Sequence, residues 1–183
     1  MSAIQRRILV LLAVAFLCAA SLQATMVLKM GLGEMCDRAG KIFRGTVVDV
    51  SPGTIAVGGG ELPTVTYLIE VTDPLKGLFA SKDGKSYETI RMLAPVKGDN
   101  DGGVQRFSKL PDLPQLEVGG DYLLLASTPG VSGLSTTVGL GQGCFSISEK
   151  DETAVNELGN QGLYEGPVAY QTIADDIRAA LGQ

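Results

Sequence analysis

The sequence predicts a mainly β fold: a small barrel or sandwich, with a short helix near its start and a second helix at its end. Several short segments of β-branched or alternating apolar residues follow one another, and turns rich in Gly and Pro separate them. Such a series of short strands is typical of barrels and sandwiches. No helical pattern separates the strands, which excludes a doubly wound nucleotide-binding fold.

The region before these segments has the three parts of a secretory signal peptide. Arg6 and Arg7 form a basic head, residues 8–20 carry no charge, and Ala24 is a small residue suited to cleavage. The uncharged run is shorter than the roughly 20 residues that span a bilayer. We therefore expect cleavage near Ala24 and export to the periplasm or outside the cell. An uncleaved membrane anchor and lipid attachment at Cys18 are the alternatives.

Removal of a signal peptide at 1–24 leaves 25–183, which is enough for a single domain with one sizeable core. The full chain has 15 Lys and Arg against 20 Asp and Glu, a formal charge of −5. The removed part holds two arginines and no acid, so the mature chain carries 13 against 20, or −7. This acidic balance argues against nucleic acid and anionic membranes as partners, because both bind basic surfaces.

A short amphipathic helix is predicted within 31–41 and a longer helix over 168–181. Apolar residues recur three or four positions apart in the first and four or five positions apart in the second, which indicates one apolar face in each. These residues are Leu32, Met35, Cys36 and Ala39 in the first helix, and Val168, Ile173, Ile177 and Leu181 in the second. We expect both helices to flank the sheet, with Gly40 ending the first.

Strands are predicted between the two helices. They cover 42–51, 64–77, 86–94 and 120–127, with one or two more within 134–148. The first two strands are expected to form a long hairpin. The segments 52–62 and 95–115 are rich in Gly and Pro, and are predicted as loops long enough to form the rim of a binding site.

Three glycines at alternate positions, Gly139, Gly141 and Gly143, raise the question of a phosphate-binding loop. Such a loop needs a helix directly after its glycines, or a Lys-Ser/Thr pair. The residues that follow, CFSIS, are typical of a strand instead. We therefore interpret the glycines as architecture, at a bend or where another backbone comes close.

The chain contains no histidine, which removes several catalytic chemistries at once. Ser–His and Cys–His nucleophiles, histidine general bases and His-ligated zinc all require that side chain. The carboxylate pairs that remain as candidates are Glu70 with Asp73 and Asp175 with Asp176. Both are more typical of solvated surface charge, and nothing in the sequence favours a Ser–Lys dyad. We therefore expect no enzyme, no catalytic residue and no cofactor.

One stretch resembles a fragment of a calcium loop, because Asp99, Asn100 and Asp101 precede a glycine. Calcium loops space their oxygen ligands at alternate positions and close with a distant Glu, and this stretch does neither. Asp and Asn beside Gly are common in turns. We therefore interpret the stretch as a turn and expect no metal site.

Two cysteines remain after cleavage, Cys36 and Cys144. An even number in an exported chain favours a disulfide. Closing so long a loop would stabilise the fold by about 4–5 kcal/mol, through the chain entropy that the unfolded state loses. Two buried free thiols and a reactive thiol are the alternatives.

Four segments together carry a resemblance to known proteins. In order they are CDRAGKIFRGTVVDV, TYLIEVTDPLKG, LEVGGDYLLLAS and VGLGQGCFSI, and the resemblance spans most of 27–148. They look like a group of uncharacterised exported bacterial proteins, which is similar in layout to netrin-like and tissue-inhibitor-of-metalloproteinase modules. The resemblance implies a five- to six-stranded OB-type barrel with flanking helices. It also implies a disulfide between the first helix and a barrel strand, which Cys36 and Cys144 could supply.

The chain departs from the metalloproteinase inhibitors at its mature start. Those inhibitors begin with a cysteine whose amine and carbonyl chelate the target's zinc, whereas this chain would begin near Thr25, with Cys36 inside a predicted helix. We therefore expect a non-enzymatic exported module that binds a protein, glycan or envelope component. A protease inhibitor that acts through an exposed loop is the first alternative, and an enzyme without histidine is the second.

Overall fold

The computed structural model describes residues 29–94 and 113–183. The predicted signal peptide at 1–24 lies outside these residues, and so does most of the predicted loop over 95–115. Within the described part, the fold is mainly β, as the sequence predicts.

In residues 29–94 and 113–183, eight antiparallel strands form one sheet, in the order β3-β4-β2-β1-β5-β6-β7-β8. The strands are β1 (Lys41–Val57), β2 (Gly60–Lys76), β3 (Ala80–Lys82), β4 (Lys85–Leu93), β5 (Asp121–Ala126), β6 (Cys144–Ile147), β7 (Thr153–Asn156) and β8 (Val168–Ala169). Two helices accompany them, α1 (Leu32–Arg38) and α2 (Tyr170–Ala180), and Leu140–Gly143 form a single 3-10 turn.

The strand count differs from the expected five to six, and the sheet is not closed. The additional strands β3, β7 and β8 have 3, 4 and 2 residues, too few to show a periodic pattern in the sequence. Within the described ranges, the edge strands β3 and β8 do not pair with each other. One backbone hydrogen bond, from Ser135 N–H to the Arg91 carbonyl at 2.8 Å, brings the segment after β5 against β4. A closed OB-type barrel is therefore not confirmed.

The long hairpin is confirmed, but the loop predicted over 52–62 is wrong. β1 and β2 stay paired up to Val57 and Gly60. The turn consists of Gly58 and Gly59 alone, with φ angles of 59° and 84°. Both angles suit a type I′ turn, which matches the twist of the flanking strands and favours glycine at both positions. Because two glycines suffice to reverse the chain, the rest of this segment continues the strands.

Two apolar cores lie on opposite faces of the sheet, because strand side chains alternate. Ile42, Leu123 and Leu125 belong to one core, whereas their neighbours Phe43 and Leu124 belong to the other. Both helices contribute to the first core only. Because the side chains of the helix-covered core are buried from water, this core is among the main contributors to stability.

The two predicted helices are confirmed with shorter bounds. α1 buries Met35 and Cys36 against the sheet, and α2 buries Ile173 and Ile177, which are fully buried. Val168 lies on β8 rather than in the helix. In the part of the chain that the structure describes, no helix is long and apolar enough to span a membrane.

Candidate functional site

An apolar groove lies between the end of β4 and the segment that follows β5. It encloses about 230 Å³, and we call it the leucine groove. Its walls are Leu93, Leu113, Ser127, Leu134, Ser135, Thr136 and Leu140. The four leucines are all half-buried, and no charged side chain is among the walls that the described residues form. Ligand sites are usually concave, mostly apolar and furnished with a few polar groups, so the groove is the candidate site.

Backbone hydrogen bonds hold the far wall of the groove in place. Ser127 N–H donates to the Thr136 carbonyl at 2.8 Å, and Val138 N–H donates to the Leu125 carbonyl at 2.7 Å. The segment 134–138 therefore runs back along the end of β5. The bond from Ser135 to β4 then fixes the width of the groove.

The three hydroxyl groups of the groove differ in their partners. Ser127 Oγ accepts a hydrogen bond from Thr136 N–H at 3.1 Å, and Ser135 Oγ donates to the Ser127 carbonyl at 2.9 Å. Thr136 Oγ1 is buried and has no partner among the described atoms. The neighbouring hydroxyl of Thr137, by contrast, donates to the Leu140 carbonyl at 2.6 Å. Because buried polar groups nearly always have partners, Thr136 marks this wall as incomplete.

Arg91 lies on β4, two residues before Leu93, and its side chain reaches across β2 to β1, away from Ser135. Its Nε donates to Thr64 Oγ1 at 3.3 Å, and a terminal nitrogen donates to the Thr54 carbonyl. Thr64 is the register partner of Leu93, a groove residue. The other arginines in the described ranges have carboxylate partners: Arg38 with Glu34, Arg44 with Asp121 and Glu152, and Arg178 with Asp73 and Asp175. Arg91 has no carboxylate partner within those ranges.

The candidate carboxylate pair Glu70 and Asp73 is divided between separate partners. Glu70 forms an ion pair with Lys85 at 2.9 Å. Asp73 accepts hydrogen bonds from the Tyr170 hydroxyl at 2.7 Å and from Arg178 at 3.0 Å. The structure therefore does not join the two carboxylates in one acid–base site.

The second pair, Asp175 and Asp176, is divided in the same way. Asp175 pairs with Arg178 at 3.0 Å, whereas Asp176 accepts a hydrogen bond from the Tyr164 hydroxyl at 2.8 Å. Burial, and then this bond to a carboxylate, raise the pKa of Tyr164 above its usual value. Asp176 thus links α2 to Tyr164, whereas the bonds of Asp175 to Arg178 and Gln171 lie within the helix.

Arg44 is the centre of a polar cluster that ties β1 to β5, to the turn before β7 and to α2. Its guanidinium pairs with Asp121 and Glu152, both at 2.6 Å, and stacks 4.5 Å from the centre of the Tyr170 ring. Hydrogen bonds to Glu152, and then to Asp121, raise the pKa of Arg44, and the bond from Arg44 lowers the pKa of Glu152. Asp121 Oδ1 is buried without a partner among the described atoms. We call Arg44, Asp73, Asp121, Glu152 and Tyr170 the Arg44 cluster.

Cys36 and Cys144 are both free and buried in the structure, and they belong to different cores. Burial raises the pKa of Cys36, and burial raises the pKa of Cys144 to about 12. Because only the thiolate is a good nucleophile, these positions disfavour a reactive thiol. The disulfide between them stays a prediction.

The glycine run lies at a tight turn and not in a phosphate loop. The 3-10 turn leads directly into strand β6, as expected from the sequence. A side chain at Gly143 would collide with the Val138 carbonyl, so close approach of two backbone segments requires glycine there.

No group of three or more His, Cys, Asp or Glu side chains is placed to hold a metal ion within the described ranges. The stretch with Asp99, Asn100 and Asp101 lies outside those ranges.

Sequence reasoning missed the leucine groove, because no motif carries it. Leu93 ends a strand, and Leu134 and Leu140 lie in turns, so only the fold brings them together. No protein-family model, curated protein or solved structure matches the chain.

Proposed function

We propose that the protein is an exported, non-catalytic binding module that holds an apolar ligand in the leucine groove. The observation that carries the proposal is the groove itself, where four half-buried leucines stand beside a buried hydroxyl without a partner in the described part of the chain. Burying half-exposed leucines under a ligand is favourable, at about 25 cal/mol per Å² of apolar area. Completing the wall at Thr136 would add to this gain.

The proposal includes an OB-type barrel, as the resemblance to netrin-like modules implies. The barrel would close at the backbone hydrogen bond between Ser135 and Arg91. Residues 134–138 would then act as the strand between β4 and β5. OB barrels bind through the face of their second and third strands and the adjacent loops. The groove ends at Leu93 on β4, which pairs with β2, so it would lie beside that face.

Two features support a non-catalytic role. The candidate carboxylates have separate partners, and both thiols are buried with raised pKa values. The alternative of a protease inhibitor would need an exposed loop. The hairpin at 52–62 is paired β structure, so 95–115 is the loop that this alternative would use.

A fluorescent apolar probe tests the proposed groove. We expect N-phenyl-1-naphthylamine to bind the purified protein saturably at one site. Leu134→Asn should weaken binding about tenfold, because the variant removes apolar contact from the groove wall. Leu78→Asn is the matched control, since Leu78 is 90% exposed and does not line the groove. Urea unfolding of both variants checks that they fold. Absence of saturable binding, or equal weakening by both variants, would contradict the proposal.

Export and the disulfide are tested together by the intact mass of the exported protein after alkylation under denaturing conditions. We expect the mass of a chain that begins near Thr25. Two labels without reductant would show free thiols, whereas labels that appear only after reduction would show the disulfide. The folded protein should resist alkylation at pH 8 in either case, since burial raises the pKa of Cys36 and brings that of Cys144 to about 12.

A further inference from the structure

The hydroxyl group of Thr136 is an unused hydrogen-bonding group in the wall of the leucine groove. Thr136 lines the groove, and its Oγ1 is buried without a partner among the described atoms. A threonine hydroxyl can donate one hydrogen bond and accept others. A buried polar group that lacks a partner is unfavourable, so a ligand that supplies the partner gains binding energy.

The other polar side chains of the groove already have partners. Ser127 Oγ accepts a hydrogen bond from Thr136 N–H at 3.1 Å, and Ser135 Oγ donates to the Ser127 carbonyl at 2.9 Å. The two serine hydroxyl oxygens also lie 3.4 Å from each other. Among the walls that the described residues form, the hydroxyl of Thr136 is therefore the polar group that remains for a ligand.

The backbone of Thr136 is held on both sides, so the side chain can turn while the wall stays in place. Its N–H donates to Ser127 Oγ, and its carbonyl accepts a hydrogen bond from Ser127 N–H at 2.8 Å. Rotation about the Cα–Cβ bond moves Oγ1 from one staggered position to the next. Because Oγ1 is out of contact with water, we expect a ligand to reach it through such a rotation.

The walls favour an uncharged ligand of limited size. No charged side chain is among the walls that the described residues form, and burying a charge without a counter-ion is costly. The groove encloses about 230 Å³, whereas a cavity of about 150 Å³ holds one benzene molecule. A benzene ring that carries a small polar group therefore matches the groove in volume.

We propose that the leucine groove binds an uncharged apolar molecule that carries a carbonyl oxygen, and that the hydroxyl of Thr136 donates a hydrogen bond to this oxygen. This inference rests on the proposed function and names the class of ligand for the same groove. The leucines contact the apolar part of the ligand, and Thr136 selects the oxygen. A pure hydrocarbon leaves the hydroxyl without a partner and gains nothing from Thr136.

Two ligands of the same shape test the selection by Thr136. Acetophenone carries a carbonyl oxygen, and α-methylstyrene carries a CH₂ group at the same place. Both compete with the naphthylamine probe. Thr136→Val replaces the hydroxyl by a methyl group of similar size. We expect it to weaken the binding of acetophenone about fivefold, because one neutral hydrogen bond is lost, and to leave the affinity for α-methylstyrene unchanged.

Two further variants control for effects on the fold. Thr136→Ser keeps the hydroxyl and should keep most of the affinity for acetophenone. Thr128→Val is the matched control, because Thr128 is exposed and does not line the groove, and it should leave both affinities unchanged. Urea unfolding checks that each variant folds. Equal weakening of both ligands by Thr136→Val, or no weakening of acetophenone, would overturn the inference.

The infrared carbonyl band of bound acetophenone gives a second readout that does not depend on affinity. A hydrogen bond to a carbonyl oxygen lowers its stretching frequency. At saturation, we expect the band to lie at a lower frequency in the wild-type complex than in the Thr136→Val complex. The same frequency in both complexes would overturn the inference.

The two proposals fail in different ways. If Leu134→Asn weakens both ligands but Thr136→Val does not distinguish them, the groove binds apolar ligands and only the inference about the oxygen is overturned. If the probe itself does not bind, the proposed function fails as well.

Discussion

The side of the molecule around the Arg44 cluster and the side around the leucine groove differ in how completely their interactions are made. On the first side, α2 covers the sheet, Ile173 and Ile177 are fully buried, and every charged side chain of the cluster has an oppositely charged or hydroxyl partner. Asp121 Oδ1 is the one buried atom of this cluster without a partner among the described atoms, and the other oxygen of that carboxylate is paired with Arg44. On the second side, the groove leucines are half-buried, and Thr136 Oγ1 is buried without a partner among the described atoms.

This difference separates what stabilises the fold from what is available for binding. Side chains that are already buried would gain no further free energy from a ligand, because their apolar surface is already out of water. Half-buried leucines do gain, because a ligand would take their remaining apolar surface out of water. The polar residues that stand out in the sequence, such as Asp73 and Asp175, serve structure, whereas unremarkable leucines form the candidate site.

The largest expected contrast compares one apolar truncation on each side. Ile177→Ala should lower the free energy of unfolding by about 2–5 kcal/mol, because it leaves a cavity in a fully buried core. Leu134→Ala should cost about 1 kcal/mol or less, because that side chain is already half exposed. Urea unfolding measures both. Equal losses in the free energy of unfolding would show that Leu134 is buried as completely as Ile177.

The next contrast concerns arginines. Arg44→Gln should lower the free energy of unfolding by about 2 kcal/mol. The substitution removes the partner of Asp121, whose side chain is only 17% exposed. The cost stays below that of a fully buried pair. Arg38→Gln removes an exposed pair within α1 and should cost less than about 0.5 kcal/mol. Similar losses in chemical unfolding would contradict the structural role of the Arg44 cluster.

Two neighbouring threonines give a smaller contrast with opposite signs. Thr137→Val should cost about 1 kcal/mol or more, since its buried hydroxyl donates to the Leu140 carbonyl. Thr136→Val removes a buried hydroxyl without a partner among the described atoms and should be neutral or stabilising by up to about 1 kcal/mol. Thermal unfolding of the pair measures the difference. A loss in Thr136→Val equal to that in Thr137→Val would show that Thr136 is already satisfied.

The smallest contrast depends on pH. Burial, and then the hydrogen bond to Asp73, raise the pKa of Tyr170 above its unfolded value near 10. The stability that its neutral form provides is therefore complete below about pH 10 and is lost as the pH rises beyond that value. Tyr170→Phe should be about 1 kcal/mol less stable at pH 7, through the lost hydrogen bond, and this gap should narrow at pH 11. Urea unfolding at both pH values checks the sign, and a gap that widens would contradict it.

The sequence was sufficient where local chemistry decides the structure. Alternation predicted the strand that contains Tyr67 and Ile69, helical spacing predicted α2, and the strand after Gly143 excluded a phosphate loop. It failed at the hairpin, because Gly58 and Gly59 alone reverse the chain where a long loop was expected.

The candidate site could not be predicted because it depends on contacts between distant residues. Leu93 and Leu140 lie far apart in the chain and meet through the approach of 134–138 to β4. The buried hydroxyl of Thr136, which has no partner among the described atoms, is likewise a product of the fold and of no sequence motif.

The most direct measurement is a leucine-methyl NMR spectrum of the protein titrated with N-phenyl-1-naphthylamine. The account predicts that the methyl signals of Leu93, Leu134 and Leu140 shift together and saturate, while those of Leu123 and Leu125 in the helix-covered core stay in place. Shifts confined to other leucines, or no saturable shift at all, would contradict the claim that this groove is the binding site.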